Sequence, residues 1–208
     1  MNGLLGNNAP TDSGRYDNFK AELVLIAAST GGPPALEYIL AFLTPDITAP
    51  IIIVQHIPQY FIEMLVLNFG AKSSLKVKVA ELGEVPAPAT VYIAPGGVHL
   101  GIDKSNRFIV DDSPPIHGIR PAADRLFESV ADNFMGRRVL AIVLTGMGSD
   151  GKKGLMHLKS KKDCYAIAQS ESTCVVYGMP KVVVDAGMAD KICELDFIPN
   201  EINFLAKK

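Results

Sequence analysis

Three cysteines in 208 residues, Cys164, Cys174 and Cys193, are too few and too scattered for a disulfide framework, and they lack the paired spacing of a zinc site. Reduced, structural thiols of a cytoplasmic protein are the expectation. Long hydrophobic runs are missing too. The stretches 23–28 and 49–54 stop at six residues, whereas a membrane helix needs ~20. The N-terminus has neither the basic start nor the apolar core of a signal peptide, and Asn2 breaks the myristoylation pattern. Charge of one sign is absent: 20 basic residues stand against 22 acidic ones. That balance gives no global field for nucleic acid or anionic membranes. No His-Glu-x-x-His or paired-carboxylate set occurs, so neither a catalytic metal nor another cofactor is expected.

What is present is a chain with 48% hydrophobic residues, of a length suited to one domain with its own core. Residues 1–20, rich in Gly, Asn, Ser and Asp, read as a flexible leader, and 21–208 as the folded domain. Short apolar runs at 23–28, 50–55, 90–94, 138–144 and 164–168 have the character of buried strands, and 76–80, alternating Lys and Val, suits a strand near an edge. Helical patterns cover 33–43, 59–69, 121–134, 152–161, 180–186 and 198–206. The pair 99–103 and 107–111 around Lys-Ser-Asn reads as a hairpin. Strands alternating with helices predict an α/β fold: a single doubly wound, mostly parallel sheet, helices on both faces, and a small β-hairpin.

In such a sheet, ligands bind beyond the carboxyl ends of the strands. The polar residues that follow buried-type strands are therefore the candidates. Ser29-Thr30-Gly31-Gly32 follows the first run, His56 the second, and Thr145-Gly146-Met147-Gly148-Ser149-Asp150-Gly151 the run ending at Leu144. A serine hydroxyl becomes a nucleophile when an imidazole takes its proton, and the imidazole needs a carboxylate to fix its tautomer. Ser29, His56 and Asp150 thus form a candidate acyl-transfer set, with the N-terminus of the helix after Gly31 suited to an oxyanion.

Plainer readings stand beside this one. Ser29 could cap the next helix or cradle an anion, although the loop lacks a P-loop lysine and G-x-G-x-x-G spacing. Asp150 could cap the helix at 152, and His56 could be a buried structural histidine. His99 is placed near the same cleft, while His117 and His157 are expected at the surface. Arg120 could bind a substrate carboxylate through its planar fork, or form a surface salt bridge.

Six collinear segments now bear on the choice: IAASTGG (26–32), IVQHIP (53–58), APGGVHL (94–100), GIRPAADRLFESVA (118–131), LTGMGSDG (144–151) and TCVVYGMP (173–180). Together they resemble the catalytic domain of the bacterial chemotaxis protein-glutamate methylesterase, CheB, over about residues 21–205. The resemblance implies Ser29 as nucleophile, His56 as base and Asp150 as orienting carboxylate. Thr30 and Met147 would lie beside the nucleophile, with the Met147 N–H as an oxyanion donor. It implies hydrolysis of glutamate γ-methyl esters on chemoreceptors to glutamate and methanol, with receptor glutamine deamidation as a second activity. The implied partners are the cytoplasmic helices of methyl-accepting chemoreceptors. The family usually carries an N-terminal receiver domain, whereas about 20 residues precede the catalytic segments here. Constitutive activity, control by a separate regulatory partner, or an excised fragment are the expectations that follow. Two other functions remain open at this stage: an esterase of the same mechanism with a substrate outside chemotaxis, and a non-catalytic α/β module binding an anion or a partner.

Overall fold

The computed structural model describes residues 18–207. Seven short strands form one sheet. β1 (Leu23–Ala28), β2 (Ile51–Gln55) and β4 (Thr90–Ile93) are buried along their whole length, as is β7 (Arg138–Val143) beyond its first residue. β3 (Lys76–Val79), with its lysines, and the three-residue β9 (Lys191–Cys193) form the two edges, and β8 (Asp163–Gln169) lies inside β9. The order is β3-β4-β2-β1-β7-β8-β9, and every pairing is parallel. β5 (His99–Ile102) and β6 (Phe108–Asp111) form the expected hairpin as a separate antiparallel sheet.

Because successive side chains of a strand point to opposite faces, each apolar strand feeds two cores. Val24, Ile26, Ile51 and Ile53 meet α1 (Gly32–Ala41), α2 (Ile62–Lys72) and α6 (Ile198–Leu205) through Leu36, Ile39, Phe69 and Ile202. On the other face, Leu25, Ala27, Ile52 and Val54 meet α3 (Ala123–Asn133), α4 (Lys152–Lys161) and α5 (Met179–Asp185) through Leu126, Phe127, Leu155 and Val183. Leu100, Ile102 and Phe108 of the hairpin join that second core.

The expected elements are present, with ends shifted by a few residues. The stretch from 59 opens as one 3-10 turn and becomes helical only at Ile62, running on to Lys72. β9 carries too few residues for a periodic signal. The expected leader falls mostly on residues 1–17, which lie outside the described residues. Its end is not loose: Phe19 is buried, with its ring 5.9 Å from that of Tyr165. Among the described residues, no helix is long and apolar enough to cross a membrane.

β1 lies between β2 on one side and β7 on the other. The chain therefore leaves β1 in one direction first and returns later on the opposite side. The crevice at such a switch point is where a parallel sheet accepts ligands. The turns after β1, β2 and β7 all open onto that rim.

Candidate active site

Strand register sets the positions. Ala28 lies opposite Gln55, and Ala27 opposite Val143, so β1, β2 and β7 end level with one another. The next residues stay tied together. His56 N–H donates to Ala28 O at 3.1 Å, and Ser29 N–H donates to Thr145 O at 3.0 Å. Ser29 and His56 are thus neighbours on adjacent strand ends, with the 145–151 loop along the other flank of Ser29.

The turn after Ser29 needs both glycines. Gly31 has φ +80, and a Cβ there would come within 2.6 Å of Val175 Cβ; at Gly32 it would meet Gln55 Oε1 at 2.0 Å. Gly146 permits a second close approach, since a Cβ would stand 2.8 Å from Ser29 Cβ and 2.3 Å from Met179 Sδ. The backbone of the 145–151 loop is therefore pressed directly against the serine.

His56 Nε2 lies 2.7 Å from Asp150 Oδ2, with both side chains almost wholly buried. Asp150 also accepts the Ala123 N–H on Oδ2 at 2.6 Å and the Asp124 N–H on Oδ1 at 2.9 Å. Burial alone would raise the Asp150 carboxyl, but the His56 hydrogen bond and these two backbone donors outweigh it and hold the group below the ordinary carboxylate range. An ionised Asp150 accepts from Nε2–H, which leaves Nδ1 as the basic nitrogen.

The expected bond between Ser29 and His56 is not made: Ser29 Oγ has no hydrogen bond among the described residues, so the chain of side chains is closed at His56–Asp150 and open at Ser29. Catalytic hydrogen bonds often tighten only with substrate bound. Asp150 does not cap the helix it precedes. Gly151 is the N-cap of α4, and Asp150 caps α3 instead.

Thr30 is exposed, and its carbonyl accepts from Thr145 Oγ1 at 2.9 Å. Met147 is 70% exposed at the tip of its loop. The N–H groups of Thr30 and Met147 donate to no group among the described residues. Arg120 lines a cleft of about 310 Å³ with His56, Ile57, Pro58, Gly118, Ile119 and Pro121. Its Nη1 donates to Asp112 O at 2.6 Å and Ser113 O at 3.0 Å. The guanidinium thus braces its own loop, and among the described residues it forms no salt bridge.

His99 corrects its expectation. It is completely buried; its Nδ1 accepts the Ala122 N–H at 3.2 Å and its Nε2 faces Pro114 O at 3.3 Å. It holds the start of α3 and does not line the cleft. His117 is exposed, and His157 is half-exposed, 2.7 Å from Asp132. Among the described residues, no group of three or more His, Cys, Asp or Glu could hold a metal ion.

Sequence reasoning missed two braces. Gln55 Nε2 donates to Ser29 O at 3.1 Å and to His56 O at 3.0 Å, clamping the two turns together. Thr145 Oγ1 accepts the Val176 N–H at 3.0 Å while donating to Thr30 O, so it joins the 173–180 segment to the serine turn. The available signal was a polar residue closing, or directly following, an otherwise apolar strand.

A parallel α/β sheet whose switch-point crevice gathers a serine, a buried His–Asp pair and free backbone N–H groups has the architecture of an acyl-transfer protein. The comparisons narrow the class. The profile of the CheB methylesterase family matches residues 24–202, and the chain belongs to that family. A Desulfotalea psychrophila protein named protein-glutamate methylesterase/protein-glutamine glutaminase is 45% identical over 188 residues, covering 88% of this chain and 51% of the relative. A Geobacillus kaustophilus protein of the same name is 46% identical over 179 residues, with 85% and 51% covered. The crystal structure of the Thermotoga maritima CheB methylesterase catalytic domain superposes with a TM-score of 0.83 at 39% identity, covering 88% of this chain and 98% of that one. The chain spans about half the length of the curated relatives it matches.

Proposed function

We propose that the protein is a protein-glutamate methylesterase that hydrolyses glutamate γ-methyl esters on chemoreceptor helices, with deamidation of receptor glutamines as its second reaction. The single observation that carries this reading is the buried 2.7 Å His56–Asp150 pair set beside the Ser29 turn. Membership of the CheB methylesterase family supports a glutamate γ-methyl ester as the substrate.

In the reaction, His56 Nδ1 removes the Ser29 proton as Oγ attacks the ester carbonyl. Asp150 steadies the imidazolium that forms, without taking its proton. The tetrahedral oxyanion accepts hydrogen bonds from the Thr30 and Met147 N–H groups. When the intermediate collapses, the C–O bond to methoxide breaks and the imidazolium protonates it, releasing methanol. Water then repeats the cycle on the acyl-enzyme: His56 takes its proton, hydroxide adds to the carbonyl, and Ser29 leaves reprotonated with glutamate freed. A glutamine side chain follows the same path with ammonia as leaving group. Arg120, tied to its loop, shapes the cleft wall and needs no direct contact with the ester.

The test is methanol release from a methylated chemoreceptor cytoplasmic fragment, run beside a small generic methyl ester. The reading requires release from the receptor that Ser29→Ala abolishes, and stoichiometric fluorophosphonate labelling at Ser29. Unchanged release by Ser29→Ala would overturn the nucleophile. A clear preference for the generic ester would point to a substrate outside chemotaxis.

A further inference from the structure

α3 and α4 cap each other with exchanged aspartates. Neither helix has a side-chain cap of its own: the N-caps are Ala122 and Gly151. Asp150, just before α4, takes the Ala123 and Asp124 N–H groups of α3. Asp124, in the first turn of α3, returns the favour, its Oδ1 accepting the Gly154 N–H of α4 at 2.8 Å. The two backbones touch where this happens, because a Cβ on Gly154 would come within 2.5 Å of Asp124 O and 2.8 Å of Asp124 Cα.

We propose that Asp124 is a positioning residue for ester hydrolysis: by locking the first turn of α3 onto α4, it fixes the two N–H donors that orient Asp150, and through Asp150 the imidazole of His56. The proposal rests on the esterase reading above. The side chain is only 2% exposed, and its Oδ2 has no hydrogen-bond partner among the described residues. Burial pushes its carboxyl above the ordinary range, and the nearby Asp150 charge pushes the same way. Its neighbours Ala123, Leu126, Phe127 and Val130 form the apolar stripe of α3, so packing alone would favour an apolar residue here. The buried carboxyl instead accepts the Gly154 N–H of α4, the helix that Asp150 directly precedes, while α3 donates the two N–H groups that hold Asp150.

The experiment compares Asp124→Ala with Asp124→Asn in the full chain, well below each melting temperature. Three readouts are followed: methanol release, the rate of fluorophosphonate labelling at Ser29, and the proton NMR signal of the His56 Nε2–H bonded to Asp150. Asp124→Ala lowers kcat about 10–100-fold with KM unchanged, the range typical of a lost orienting partner. It also broadens or abolishes the Nε2–H signal. Asp124→Asn keeps an oxygen for the Gly154 N–H and stays within about 3-fold, well inside one decade. On an Asp150→Ala background, Asp124→Ala adds no further loss, since its route is already broken. If Asp124→Ala does not fold, Asp124→Ser takes its place, with a partial loss confined to kcat. A folded Asp124→Ala with normal kcat and an unchanged Nε2–H signal overturns the proposal, as does an additive loss on the Asp150→Ala background. A wild-type protein inactive on every ester would instead overturn the esterase reading; the NMR comparison would still decide whether Asp124 positions Asp150.

Discussion

His56 turns Nε2, not Nδ1, toward Asp150, at 2.7 Å. That choice assigns the ring's two jobs. Nε2–H is held by an ionised, buried carboxylate, so Nδ1 carries the free lone pair. Asp150 can hold the ring still because it is itself held by two N–H groups of α3.

From this relation follows a ranking of variants. Ser29→Ala and His56→Ala should each cost about 10⁶ in kcat, and Asp150→Asn about 10⁴, because triad members act as a unit and the orienting carboxylate contributes least. Methanol release measured on purified variants tests the order. Wild-type activity in Asp150→Asn would remove Asp150 from the assignment.

Gly146→Ala should slow the chemistry without unfolding the protein. Its methyl group would crowd Ser29 Cβ at 2.8 Å and Met179 Sδ at 2.3 Å, and the loop must move to relieve this. A loss of about 10²-fold in labelling rate is expected for a displacement near 1 Å at a reacting group. Circular dichroism should match the parent spectrum.

Thr145→Val keeps the side-chain shape but removes the hydroxyl that joins Thr30 O to Val176 N–H. Leaving these partly buried backbone groups without their hydroxyl partner should lower stability by about 1 kcal/mol. Chemical denaturation gives the stability, and slower Ser29 labelling would show that the brace reaches the nucleophile. Unchanged stability would show that the hydroxyl bridge does not hold these two segments together.

Asp111 offers a pH test away from the rim. The Ser113 backbone N–H and the Arg125 guanidinium lower its carboxyl from 3.8 to about 2. A depressed folded value means stabilisation that is fully present above 3.8 and fades as pH falls toward 2. The pair is partly exposed, so its worth is about 1 kcal/mol or less. Asp111→Asn should therefore melt lower than the parent at neutral pH, and the gap should close between pH 4 and 2. A gap independent of pH would refute the ionic origin.

Much of this molecule was legible in the chain itself. The six-residue apolar run at β1 and the five-residue β2 announce strands buried on both faces, and the helices between them dictate a parallel sheet. Once the sheet is parallel, Ser29, His56 and Asp150 must emerge on one edge. These are local signals, in which period, length and turn residues act within a few positions. The tertiary structure decided which groups meet across long stretches of chain. Asp150 caps α3, 26 and 27 residues away, and not the helix it adjoins. His99 disappears into the base of α3, Arg120 turns back onto its own loop, and Gln55 clamps the serine turn to the histidine. Such pairings depend on strand register and on how closely two helices cross, and both are settled only when the whole core packs. The open end at Ser29 belongs to the same class: a hydroxyl's direction is a rotamer choice made by its surroundings, and no pattern in the sequence records it.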